Sequence, residues 1–354
     1  MHEDSLHDLT ARINNRIWIS TNSSQETIDS VRKLCKVDID VLNINGEGVD
    51  NTHKETNFSP NTLGHIYQFS QKLLQRPMRD VLVVVPATRQ GVTMGALLLG
   101  GYLIVCERLD LASVIDVFAC FENQFVSFCE VHNNGGEDLN VVDCWAALFR
   151  ASNKDWLDFS DTPVEGSIDM EEYLHYDQIA NGNFHVVVPD KLLAFPCPAD
   201  HPDHVDWLDQ GGVRSFSAAY YAEVFHDFDV AVAVCCAGAD EDIPYDPAAL
   251  AERAIAVDLL AADPRSGALL DAIDRIVTLA RAAPGAIALH GTGAWEEGLL
   301  LSACLIRLHG FQAREALAWA RMAHPSGAVA APVLALHDPA GTVDDANAGS
   351  FGEV

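Results

Sequence analysis

The sequence predicts an α/β fold built as two tandem domains, each a central, mostly parallel sheet flanked by helices. Two observations carry this. The stretch VLVVVPATRQGVTMGALLLGGYLIV, from Val81, has the layout of AIALHGTGAWEEGLLLSACLIRL, from Ala286: apolar strand, short glycine-bearing loop, apolar helix. One supersecondary unit thus recurs about 200 residues later. The second observation is size: 354 residues, 49% of them hydrophobic, suffice for two packed cores.

Taken in order, Arg16 to Ser20 (RIWIS) reads as an entry strand and Val37 to Ile44 as a second apolar run. Leu63 to Leu74 has amphipathic spacing and predicts a helix. The wholly apolar Val81 to Val85 predicts a buried strand, followed by a helix over Ala96 to Cys106. Leu111 to Cys129 is a further helical run, and Val141 to Arg150 a short buried helix. The acidic stretch Asp158 to Asn181 contains MEEYLHYDQIANG, a linker helix with Gly182 as its stop. FHVVVPDKLLAF then supplies a pair of short strands; Val230 to Cys236 and Ala254 to Leu260 are further strands. A helix over Gly267 to Ala282 leads to the strand Ala286 to Leu289 and its loop, His290 to Glu297; Phe311 to Ala323 closes the unit. The predicted division is 1–157, a linker 158–182, 183–340, and a Gly/Asp/Asn tail 341–354.

A net charge of −29 opposes binding to nucleic acid or anionic lipid and suits Lys- or Arg-rich protein segments. No apolar run approaches the roughly 18–20 residues that cross a bilayer, and MHEDSLHDLTARINNR lacks a signal-peptide apolar region, so cytosol, nucleus or cytoskeleton is expected. The cysteines Cys106, Cys120, Cys235 and Cys304 lie in apolar runs and read as reduced core thiols. No paired CxxC motif occurs, and His201, Asp203, His204 and Asp206 in a Pro-rich stretch read as a solvated loop rather than a metal site. No cofactor is expected.

The loop after the second repeat strand is built like a phosphate cradle, because a helix N-terminus presents free N–H groups. Its side chains oppose that use: it has no thiol, no basic group except His290, and two carboxylates, Glu296 and Glu297.

The chain resembles the cell-division-cycle-fourteen family of dual-specificity protein phosphatases. The resemblance is carried by DMEEYLHYDQIANGNFHVVVPDKLLAF, NFSPNTLGHIYQFSQKLL, VVDCWAALFR and ALAWARMAHPSG. It implies two tandem phosphatase-like domains, a non-catalytic first domain lining an acidic groove for basic residues, and a second domain with a His-Cys-x5-Arg loop and an Asp as general acid. In this chain His290 matches the histidine, Gly291 stands at the nucleophile, Glu297 at the phosphate-binding arginine, and Asp263 at the general acid. The positions Asp263, His290, Gly291 and Glu297 thus read as vestigial. Val333 and Leu334 follow Pro332 where the family has glutamines.

The family reaction needs a thiolate to attack phosphorus, and glycine offers none. Replacing a bidentate arginine with glutamate inverts the anion's partner; at about 4 Å each unit pair is worth on the order of 4 kcal/mol in a medium of dielectric near 20. Cys144 and Arg150 have a formal Cys-x5-Arg spacing, but DCWAALFR is helical and apolar and cannot form an anion loop. His290 is expected to bond backbone. Trp295 and Glu296 are binding candidates, Trp295 either plugging the pocket or anchoring a partner. The sequence therefore predicts a pseudophosphatase: a protein-binding or structural component, by family analogy cytoskeletal or axonemal and able to join a larger assembly. An active phosphatase and a phosphoprotein reader are the alternatives.

Overall fold

The computed structural model describes residues 9–35, 39–44, 58–128, 138–237, 243–261, 268–291 and 297–325. Asp263, the loop 292–296 with Trp295 and Glu296, and the tail 341–354 lie outside the described residues.

The first half runs β1 (Thr10–Arg12), β2 (Ile17–Ser20), α1 (Gln25–Cys35), β3 (Ile39–Asn43), α2 (Leu63–Leu74), β4 (Asp80–Val84), α3 (Arg89–Val105), α4 (Leu111–Phe118) and α5 (Val141–Ser152). Its sheet has the order β1-β2-β4-β3, parallel except for β1. Strand β4 is buried on both faces, as a central parallel strand should be. Val81, Val83 and Val85 face the main core, while Leu82 and Val84 meet Val31 of α1 and Ile39 of β3. The sequence carries no clear signal for helix α1. Val31 alone is fully buried on it, so its apolar signal is faint. The run from Leu111 ends its α-helix at Phe118 and tightens to a 3-10 turn over Ala119–Gln124. Cys120, expected in the core, is exposed on that turn.

The chain then passes through α6 (Met170–Tyr176), shorter than the predicted linker helix and followed by a 3-10 turn, Ile179–Asn181. Asp169 caps α6 by accepting N–H bonds from Glu171 and Glu172. Beyond it come β5 (His185–Val188), β6 (Leu192–Ala194), β7 (Trp207–Gln210), β8 (Val213–Phe216), α7 (Ala218–Asp227), β9 (Val230–Ala237), α8 (Ala248–Glu252), β10 (Ala256–Ala261), α9 (Ala268–Ala282), β11 (Ala286–Gly291), α10 (Glu297–His309) and α11 (Ala313–Ala323). The main sheet here is β10-β9-β11-β6-β5, parallel except for β5; β7 and β8 form a separate hairpin. In both sheets the repeated strand, β4 or β11, is interior and feeds an apolar helix. The hairpin β7–β8 escaped the sequence reading because its residues are largely exposed and carry no apolar stripe.

Along β11 the two faces differ. Ala286 and Ala288 meet an aromatic core with Phe195, Tyr221 and Phe225, whereas Ile287 and Leu289 join the larger core. That larger core runs without a break from the first sheet to α10 and α11. Helices α5 and α11 pack together, and two ion pairs flank the contact: Arg314 Nη2 lies 2.8 Å from Asp143 and Arg150 Nε 2.5 Å from Glu315. Asp143 and Glu315 each also cap their own helix.

His309, at the end of α10, stands edge-on to Trp156, with ring centroids 4.9 Å apart. Burial, with the fields of Lys154 and Lys191, pulls its pKa down to about 4. The unfolded ring titrates near 6.5, so the unfolded chain takes up the proton first. Stability is therefore lost as pH falls from about 6.5 towards 4 and levels off below. His309→Gln should remove ~1–2 kcal/mol of this dependence, solvent screening having reduced the ideal value; urea melts at pH 7 and pH 5 measure it.

Candidate functional site

The candidate loop follows β11 in the sequence. That strand extends to Gly291, so His290 and Gly291 belong to the strand and not to the loop predicted for them. Its pairing with β9 is regular up to its end: His290 lies opposite Cys235 and Gly291 opposite Cys236. Helix α10 begins at Glu297.

His290 is wholly buried on the aromatic face. Its ring is 4.8 Å from that of Phe195, and Nε2 is 3.0 Å from the Tyr245 hydroxyl. Burial first, then the fields of Cys235 and Cys197, drive the Tyr245 pKa up, so its hydroxyl keeps its proton. Among the described residues, the partner found for His290 Nε2 is the Tyr245 hydroxyl. Its solvent access is nil, which denies it a role as a base towards an outside substrate.

Several thiols sit nearby in sequence or register, but none of those with a resolved shift is poised to ionise. Cys235 and Cys236 are buried. Burial raises Cys304 and Cys106 to about 12, and raises Cys144 further. At neutral pH such groups are thiols and poor nucleophiles. Cys144 lies inside α5, and Arg150, its formal partner, spends its guanidinium on Glu315. The spacing is a coincidence of helical sequence.

The corresponding turn of the first half is fully described. Helix α3 starts at Arg89, seven residues earlier than predicted, leaving a short turn after β4. Thr88 caps it, its Oγ1 accepting the Gly91 N–H at 3.0 Å. Gly91 is pressed against Pro86, where any Cβ would collide with the proline carbonyl. Arg89 donates to the carbonyls of Asn123, Gln124 and Phe125. A side chain of the protein already holds this helix N-terminus.

His201 spends both ring nitrogens within the protein: Nε2 is 2.9 Å from Ser215 Oγ and Nδ1 3.2 Å from the Val205 carbonyl. Asp203 is exposed in a left-handed turn, φ 59°. Among the described residues no group of three or more metal-ligating side chains converges, and no described helix is long and apolar enough to cross a membrane.

A cleft of about 650 Å³ opens between α2 and the segment 158–171. Tyr67 and Gln71 line one wall; Asp158, Asp161, Asp169 and Glu171 line the other. The fields of Glu171, Asp169 and Asp161, after burial, raise the pKa of Tyr67, so these carboxylates surround one hydroxyl. Burial would raise Asp158, but N–H bonds from Ser160 (3.0 Å) and Val164 (3.2 Å) outweigh it and hold its carboxyl below the usual range. The cleft was not foreseen, although the acidic run that builds it was visible. What folds that run against α2 is Gln71 Nε2, which donates to the Phe159 carbonyl at 2.9 Å, and the edge-on contact of Tyr67 with Phe159.

No family model matches the sequence. Among curated proteins, the tyrosine-protein phosphatase cdc-14 of Caenorhabditis elegans is 25% identical over 91% of this chain and 45% of its own length. The dual specificity protein phosphatase CDC14C of Homo sapiens is 23% identical over 80% of this chain and 63% of its own. The tyrosine-protein phosphatase CDC14 of Candida albicans is 24% identical over 94% and 58%. The chain therefore spans about half the length of the curated relatives it matches. Of solved structures, Tk-PTP in its active form covers 43% of this chain and 92% of its own at 19% identity, with a TM-score of 0.31. PTPMT1 covers 43% and 90% at 13% identity, with the same TM-score of 0.31. Over most of its length, this chain is similar to the CDC14 dual-specificity tyrosine phosphatases, at about 25% identity.

Proposed function

We propose that the protein is a catalytically silent relative of the CDC14 phosphatases that acts by binding other proteins, with basic segments as its preferred ligands. The observation that carries this reading is Gly291 at the end of β11, the place from which the family's thiolate would attack. A carboxylate, Glu297, occupies the position of the anion-holding arginine, so the residues that make and stabilise a phosphoenzyme are both replaced. The buried Cys235, Cys236 and Cys304 offer no substitute nucleophile. Support for basic ligands comes from the acidic cleft beside α2 and from the net charge of −29. A place in a cytoskeletal or ciliary assembly is the corresponding proposal for location, by analogy with the family alone.

The test has two arms. Purified protein should hydrolyse neither p-nitrophenyl phosphate nor phosphopeptides between pH 5 and 8; turnover that co-purifies with the chain and persists in a Gly291→Ala variant at the wild-type rate would point to contamination, whereas turnover lost in that variant would overturn the reading. A fluorescent Lys/Arg-rich peptide should bind, and its affinity should fall at least tenfold between 50 and 300 mM salt, because exposed charges are screened beyond about a Debye length. Asp161→Asn with Glu171→Gln should weaken binding severalfold. Salt-independent binding, or none, would remove the acidic cleft from the account.

A further inference from the structure

The tip of β5 holds a chain of polar contacts that joins three elements and plays no part in the proposed function. Asp177 follows α6, His185 opens β5 and His324 follows α11. His185 Nε2 is 2.8 Å from Asp177 Oδ1, and its Nδ1 is 2.9 Å from His324 Nδ1. Both rings are buried, at 0% and 1% exposure, while the Asp177 side chain reaches solvent. Tyr173 of α6 closes the site: its ring centroid is 5.7 Å from that of His185, and its hydroxyl donates to the carbonyls of Met322 and Ala323, at 3.4 and 3.1 Å.

The contacts fix where the protons sit. A carboxylate only accepts, so His185 donates through Nε2–H. A neutral His185 then offers a lone pair at Nδ1, and His324 must donate through its own Nδ1–H. One added proton can be absorbed: His185 becomes a cation against Asp177, and His324 moves its remaining proton to Nε2. A second proton cannot, because two N–H groups and two cations would then face each other in a buried site. Among the described residues, Tyr173 packs against the pair and stays protonated because burial raises its pKa, and Arg321 is buried one turn back on α11. His65 of α2 senses the field of Asp177, though burial outweighs that field and lowers its pKa.

We propose that His185 and His324 form a proton-sensitive clasp, holding the linker helix to the end of α11 at neutral pH and releasing it when both rings are protonated. The clasp is independent of whether the protein is a phosphatase or a binder.

Hydrogen exchange followed by mass spectrometry on the full chain, between pH 5 and 7.5 and corrected for intrinsic exchange, tests it. Peptides covering α6 and the end of α11 should open roughly tenfold more per pH unit below about pH 6, the signature of one extra proton taken up on opening, while β9 and β11 stay protected. The α2 N-terminus, which reports His65, is read separately. In His324→Gln, whose amide can still donate to His185 but cannot titrate, the slope should fall below twofold per unit. In Asp177→Asn, which lacks the anion that accommodates the first proton, it should steepen. A flat wild-type profile, equal acceleration of the sheet peptides, or an unchanged slope in both variants would overturn the proposal. Should His324→Gln fail to fold, the wild-type profile and Asp177→Asn decide it.

Discussion

Trp319→Ala should lower the stability of the protein by about 4 kcal/mol, seen as a large drop in the urea midpoint. Trp319 is fully buried in α11. Its ring lies 5.8 Å from that of Trp156 and 6.4 Å from that of Phe311, and those two are themselves stacked at 5.5 Å. Truncation of a buried tryptophan typically costs about 3–5 kcal/mol through lost transfer energy and the cavity left behind. A second cost adds to it. Trp319 Nε1 donates to the Val187 carbonyl of β5 at 2.9 Å, and alanine leaves that buried acceptor unpaired. Trp319→Phe separates the two, keeping a ring but not the donor, and should cost about 1–3 kcal/mol. Because Trp156 follows α5 and Val187 lies in the second sheet, the larger loss should unfold both halves in one transition. A change below about 1 kcal/mol for Trp319→Ala, or two separated transitions in the wild type, would contradict this view of one shared core.

Gly100→Ala should destabilise by about 1–3 kcal/mol, although the same change inside an ordinary helix is favourable by roughly 0.5–1 kcal/mol. Gly100 sits in α3 where Trp145 of α5 crosses it, and an added Cβ would fall within the indole. The indole cannot turn aside cheaply, because its Nε1 donates to the Ala96 carbonyl at 3.2 Å and its ring packs 5.0 Å from that of Phe118. The helices must therefore part, and every contact along α3 and α5 loosens with them. Trp145→Phe should relieve the strain, so a double-mutant cycle between positions 100 and 145 should give a coupling of at least about 1 kcal/mol. Simple additivity would mean that the helices do not approach as closely as described.

The strands β4, β9 and β11 were legible because burial on both faces leaves an unbroken hydrophobic run, and α2 because its apolar residues recur at helical spacing; all four fall within a residue or two of where the pattern puts them. Elements that touch the core with only one or two side chains were not. Helix α1 and the β7–β8 hairpin are examples, since their sequences look like polar loops. The end of β11 was missed for a different reason. His290 and Gly291 have no strand signal of their own and are held in the sheet by pairing with Cys235 and Cys236.

Sequence alone determines which residues stand at 291 and 297: residue identity is a covalent fact, independent of how the chain folds. It also carries the similarity to the CDC14 phosphatases, through residues scattered over most of the length. Only the tertiary structure decided which groups meet. His185 and His324 are 139 residues apart and touch through a single pair of ring nitrogens. The carboxylates of 158–171 become one wall of a cleft only when Gln71 and Tyr67 draw that segment onto α2. Such meetings depend on the packing of distant elements, to which local periodicity is blind.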